Sequence, residues 1–147
     1  MSNRDALFKQ HIKAMAFGQA EKAVEFNSQI DSEDRDAQFV FASGMFAGAM
    51  MHKLGEQPSL EEIKNFVDEV LEDYRKADPP LKPLAMEGLV RALYGEDSFL
   101  DEIPQPTQMQ YQYLVVRKVV DQSPEMQEQL EDYMHDALML VSEWEAQ

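Results

Sequence analysis

The sequence predicts an all-α fold built around one buried helix, and three observations point to it. Residues 37–51 carry no charged side chain, in a chain of 147 residues whose formal net charge is −15. Apolar residues recur at helical spacing in most other segments. Glycine, proline and capping residues, which are typical of helix ends, separate these segments. We therefore expect about seven helices in an irregular or solenoid-like bundle around a central helix at residues 32–54.

The uncharged segment is predicted to form the central helix. Ser32 precedes it as a suitable N-cap, and Gly55 suits its end. The segment is shorter than the roughly 20 apolar residues that a membrane-spanning helix needs, so we expect it to be enclosed by other helices instead. Gly44 and Gly48 lie one helical turn apart, and their lack of a side chain permits another backbone to approach closely.

Two helices are expected before the central one, at residues 4–17 and 19–28, with Gly18 between them. The clearest helix of the chain follows the central one. Ser59 and Glu62 form an S-x-x-E capping box there, and apolar residues keep helical spacing up to the proline pair that ends the helix.

Another helix is expected at residues 83–94, and the last one begins at Ser123 and keeps one apolar face over about 20 residues. Residues 109–120 between them are ambiguous, because apolar residues alternate and several valines have high strand propensity. Thr107 and Gln110 offer a second capping box, and no second strand is available for pairing. We therefore predict a helix rather than a strand.

Composition indicates a single domain at residues 1–147, the size of one ordinary domain. Apolar residues make up 44% and charged residues 28% of the chain, which is close to the globular average. The absence of cysteine excludes disulfides, thiolate catalysis and cysteine-ligated metals. Lys9, His11 and Lys13 interrupt the apolar residues near the start, so no signal peptide is expected and the predicted location is cytoplasmic.

Charge is distributed unevenly along the chain. Residues 1–20 carry a net charge of +2, whereas residues 124–147 contain no Lys or Arg and carry −7. Nucleic acids and anionic membranes are bound through clustered Lys and Arg, so neither is an expected partner. We expect a basic protein partner instead, because charge complementarity favours such an encounter. The acidic surface would be formed by Glu125, Glu128, Glu131, Asp132 and Asp136.

No catalytic, cofactor or metal signature stands out. Glu131 and His135 share a helix face, but a di-metal bundle needs two Glu-x-x-His helices and two further acids. His52 lies near a helix end, where a cation interacts favourably with the helix dipole. Ser43 is not in a G-x-S-x-G motif, and no nucleotide-binding glycine motif is present. We expect no catalytic residue, cofactor or metal, and favour a protein without enzymatic activity.

Three roles remain open for the central helix. Close packing within the chain is favoured over a homodimer seam, although the methionine and aromatic content makes a homodimer a further candidate. The third role is a pocket, since helical domains bind apolar molecules between helices. The pocket or interface would involve Phe39, Gly44, Met45, Phe46, Gly48 and Met50.

The leading functional hypothesis is a non-enzymatic interaction module, such as an adaptor, inhibitor or chaperone-like protein. The alternative is a helical domain that binds a small apolar ligand or a metal between helices, with or without enzymatic activity.

Residues 18–26 resemble the turn and second helix of a tetratricopeptide repeat, with Ala23 at the small position and Phe26 three residues further on. The period of about 34 residues that such repeats show does not recur cleanly along the chain. The resemblance implies antiparallel helix hairpins and assigns no functional residue.

Overall fold

A computed structural model describes residues 2–147, and over that range the chain is helical and contains no strand. The all-α prediction is confirmed, and the expected number of about seven helices is close. Within residues 2–147 no helix is long and apolar enough to cross a membrane. The helices are α1 (Asn3–Ala16), α2 (Ala20–Ser28), α3 (Arg35–Leu54), α4 (Leu60–Asp73), α5 (Pro83–Leu93), α6 (Gln105–Gln122), α7 (Pro124–Glu128) and α8 (Leu130–Glu145), with 3₁₀ turns at Ser32–Asp34 and Asp97–Glu102.

The uncharged helix α3 lies at the centre of the bundle, as predicted, and packs against α6 and α8. Its inner face is fully buried and includes Phe41, Met45 and Met50. The outer face is different, because Val40 is only half-buried and Met51 is 50% exposed. The expectation that other helices enclose the whole segment therefore holds for the inner face alone.

Helix α8 packs closely against the two glycines of α3. A Cβ atom added at Gly44 would lie 3.0 Å from the Cβ and 3.1 Å from the Cα of Ala137. A Cβ atom added at Gly48 would lie 2.8 Å from the Cδ1 ring carbon of Tyr133. All three distances are shorter than ordinary van der Waals contacts, so the absence of a side chain at each glycine permits this approach. The structure thus places an α-helix of the same chain against the pair.

Several helix ends have the predicted capping. The Ser59 hydroxyl accepts the backbone N–H of Glu62 at 3.1 Å, and the Glu62 carboxylate accepts the N–H of Ser59 at 3.2 Å. Gly18, with φ of +69°, follows α1 in the left-handed region that favours glycine. The Ser123 hydroxyl accepts the N–H of Met126 at 3.1 Å and so caps α7.

Two other details of the predicted helices are wrong. Ser32 begins a 3₁₀ turn, closed by the N–H of Asp34 donating to the carbonyl of Asp31, so that Asp34 becomes the N-cap of α3. The last helix is interrupted at Gln129, whose φ of −98° and ψ of 11° lie outside the α-helical region. Gln129 ends α7 and also begins α8, so its backbone serves as a cap for both helices.

Residues 109–120 are helical, as predicted, but the proposed capping box at Thr107 does not form. The helix α6 begins at Gln105 instead, because Pro104 and Pro106 supply the backbone φ that suits a first turn. Contacts with α1 and α3 bury its valines and override their strand propensity. Lys118, only 4% exposed, forms an ion pair with Asp73 and ties α6 to α4.

We predict that Gly44→Leu lowers the free energy of unfolding by about 1–3 kcal/mol or more, because the new side chain would overlap Ala137. Urea unfolding curves measure the change. Ala47→Leu is the matched control, since Ala47 lines an open cavity on the same helix and the substitution should change stability by only about 0.5 kcal/mol. An unchanged stability of Gly44→Leu would contradict the packing of α8 on α3.

Candidate functional site

The outer face of α3 lines two cavities, one beside α8 and one beside the end of α5, and we call the two together the α3 groove. Near the start of α3, Phe39, Val40 and Gly44 line a cavity of about 330 Å³. Leu140 and Trp144 of α8 form its wall and remain 44% and 41% exposed. This part of the groove therefore presents large apolar side chains to solvent.

The α3 groove continues toward the end of the same helix. Ala47 and Met51 line a second cavity, of about 520 Å³, together with Leu93 and Tyr94 at the end of α5. The Tyr94 hydroxyl donates to the carbonyl oxygen of Gly55 at 3.0 Å, which fixes the end of α5 against the end of α3. The two cavities follow one uncharged helix face over several turns.

The α8 side of the groove is acidic. At about 100° per residue, Asp136, Glu143 and Asp132 fall within about 80° of Leu140 around the helix axis. All three are exposed, and Glu143 lines the same cavity as Leu140. No Lys or Arg occurs in residues 124–147 to neutralise them. The apolar wall is thus bordered by negative charge.

The opposite side of α8 is neutralised by the basic start of the chain. Lys9 Nζ lies 2.8 Å and Lys13 Nζ 3.5 Å from the Glu131 carboxylate, and Arg4 lies 2.7 Å from Glu145. The hydrogen bond from Lys9 lowers the pKa of Glu131. Glu131 is therefore already paired within the chain. The other four acidic residues expected at an interaction surface are exposed, namely Glu125, Glu128, Asp132 and Asp136.

The structure divides the residues predicted to form a pocket or interface. Phe39 and Gly44 line the α3 groove, whereas Met45 and Met50 are fully buried in the core. Gly48 lies beneath the ring of Tyr133. Phe46 lines a different cavity, described next.

A further cavity of about 320 Å³, which we call the inner cleft, lies between α3, α5 and α6 and adjoins the α3 groove, because Phe39, Ser43 and Leu93 line both. Gln112 reaches it from α6, and its Nε2 atom donates to the Ser43 hydroxyl at 3.1 Å. The Oε1 atom of Gln112 is buried and accepts no hydrogen bond from residues 2–147. Sequence reasoning missed Gln112. Its spacing of four residues from Gln108, on a helix rich in apolar residues, is the signal that could have indicated it.

A buried polar cluster joins α1, α2, α3 and α6. Gln38 donates to the Tyr113 hydroxyl at 3.2 Å and accepts from Arg35 Nη1 at 2.8 Å, while Arg35 Nη2 donates to the carbonyl of Asn27 at 2.9 Å. The His11 ring packs edge-on against Tyr113, with 4.9 Å between ring centroids. Burial, and then the charge of Arg35, lowers the pKa of His11 to about 4. The cluster therefore contains a neutral histidine.

The other two histidines, His52 and His135, lie in different environments. His52 Nε2 lies 2.8 Å from the Ser123 hydroxyl, a pair that could suggest a nucleophile and its base. The same hydroxyl caps α7, however, so the pair joins the end of α3 to the start of α7. His135 is exposed. Over residues 2–147 no three His, Asp or Glu side chains are grouped to hold a metal ion.

Comparison with known proteins gives no match: no family model fits the chain, and neither curated proteins nor solved structures show significant similarity to it. The stretch that resembles a tetratricopeptide repeat, residues 18–26, forms the turn after α1 and most of α2, which packs against α1. The groove, the cleft and the distribution of charge are therefore the features that bear on function.

We predict that burial of His11 makes stability depend on pH. The pKa is about 4 in the folded chain and about 6.5 in the unfolded one, so between these values the unfolded chain binds the additional proton. The contribution of neutral His11 to the free energy of unfolding is fully present above pH 6.5 and is lost as pH falls toward 4. Between pH 7.5 and 5.5 the loss should be about 1 kcal/mol.

Urea unfolding at both pH values measures this effect. His11→Phe keeps an aromatic ring beside Tyr113 and should lose less stability than the wild type over the same interval, by about 1 kcal/mol. His135→Gln, at an exposed position, serves as the control and should follow the wild type. Parallel losses for His11→Phe and the wild type would contradict the neutral, buried His11.

Proposed function

We propose that this chain is a non-enzymatic protein-interaction module whose α3 groove binds an amphipathic helix of a basic partner protein. The observation that carries the proposal is an exposed apolar groove bordered by acidic residues. Cytoplasmic location is part of the proposal, in keeping with the absence of cysteine.

The shape of the groove supports a helical occupant. Laying the apolar face of one helix in a groove between others is a recurrent mode of recognition, with anchors spaced three or four residues apart. Trp144, Leu140 and Met51 are large apolar side chains exposed along the groove. Tryptophan and methionine are enriched in protein interfaces, and contiguous exposed apolar patches are uncommon on monomers.

The charge of the groove supports a basic occupant. Asp132, Asp136 and Glu143 border the apolar wall formed by α8, and the chain as a whole carries −15. Such a field speeds the approach of a positively charged partner and disfavours an acidic one. A second copy of this chain, joined across a two-fold axis, would bring the same acidic residues together. We therefore assign the groove to a basic partner rather than to a homodimer.

Selection of helical peptides from a random phage-displayed library on the immobilised protein tests the proposal. The expected peptides carry apolar residues spaced three or four apart and Lys or Arg on the flanks. Their affinity should fall as salt concentration rises, because salt screens exposed charges. Enrichment of acidic or uncharged peptides, or no enrichment, would contradict the proposal.

Leu140→Asp should weaken binding of the selected peptides at least about tenfold, equivalent to about 1.4 kcal/mol, because it places a charge in the apolar wall. The matched control is Leu84→Asp, since Leu84 is 83% exposed on α5 and does not line the groove. It should leave affinity unchanged. Light scattering adds a further test: a dimer of the wild type that Leu140→Asp dissociates would assign the groove to a second copy and overturn the proposal.

A further inference from the structure

We infer that the inner cleft is a binding site for a small, neutral and mainly apolar molecule that carries one hydrogen-bond donor. This site goes beyond the proposed partner binding, because its occupation requires no partner protein.

The lining of the inner cleft selects against charged molecules. Its walls are largely apolar and include Phe46 of α3, Leu89 of α5 and Leu100 of the 3₁₀ turn before α6. Among residues 2–147, no Asp, Glu, Lys, Arg or His lines it. An ionised ligand would find no oppositely charged partner there. The volume of about 320 Å³ is at the small end of the usual range for ligand pockets, which suits a molecule of one or two rings.

The unpaired oxygen of Gln112 selects for a hydrogen-bond donor. The Gln112 side chain is 4% exposed, and its Nε2 atom is already committed to Ser43. The other glutamine of the cleft, Gln108, donates to the carbonyl oxygen of Ile103 at 2.8 Å, so its amide group is held by the backbone. Burying an acceptor without a donor is unfavourable. A ligand N–H or O–H would remove this cost once a small movement of the Gln112 side chain brings the buried Oε1 atom to the surface of the cleft.

The test compares indole with benzothiophene, a molecule of nearly the same shape in which sulfur replaces the N–H group. Binding is followed by NMR of leucine methyl groups, because Leu89 and Leu100 line the inner cleft and not the α3 groove. Both probes should shift these methyl signals, and indole should bind about three- to tenfold more tightly because of its added hydrogen bond. No shift of these signals with either probe, up to its solubility limit, would overturn the inference.

Three variants identify the group responsible. Gln112→Met should abolish the preference for indole, whereas Gln110→Met, at an exposed position of the same helix, should retain it. Ala92→Phe fills the cleft from α5 and should abolish binding of both probes, which keeps the test decisive if Gln112→Met does not fold. A preference for indole that survives Gln112→Met, or binding that survives Ala92→Phe, would contradict the assigned site.

Discussion

The close packing of α8 against α3 is the contact on which the rest of the structure depends. Gly44 and Gly48 remove the two side chains that would hold the helices apart, and Ala137 and Tyr133 occupy the space. This approach carries Met134 into the core. It also sets the position of the groove wall. The orientation of α8 that brings Ala137 and Tyr133 against α3 also brings Leu140 and Trp144 to the groove. Stability and groove shape are therefore coupled through the glycine pair.

The distribution of charge gives α8 two different sides. Arg4, Lys9 and Lys13 of α1 neutralise the side that carries Glu131 and Glu145. On the other side, which borders the groove, no ion pair neutralises Asp132, Asp136 or Glu143 within residues 2–147, so negative charge is concentrated there. The outer face of α3 carries no charge between residues 37 and 51, although a partly exposed face can carry charges without harming the core. An uncharged, partly open face beside an acidic border is the feature on which the proposed binding role rests.

The sequence was sufficient to predict structure where the signal lies in residues close together in the chain. The Ser59 capping box involves residues three apart, and the uncharged segment identified the central helix without reference to any neighbour. The sequence was insufficient where tertiary contacts decide which side chains are buried. A helix without charge on any side gives no periodic signal that separates its inner from its outer face, so of the six residues predicted for a pocket or interface only Phe39 and Gly44 line the groove. The burial of His11 and Gln112 likewise depends on helices that are distant in sequence.

Thiol accessibility measures directly whether α3 is buried on one face and open on the other. The chain contains no cysteine, so single introduced cysteines report without background. Ala47→Cys and Met51→Cys lie on the outer face, whereas Ala42→Cys and Ala49→Cys replace fully buried residues of the inner face. We expect the outer pair to react with a thiol reagent at least about tenfold faster than the inner pair, since buried sites react only after local opening. Equal protection of all four positions would show that the outer face is covered and would contradict the groove.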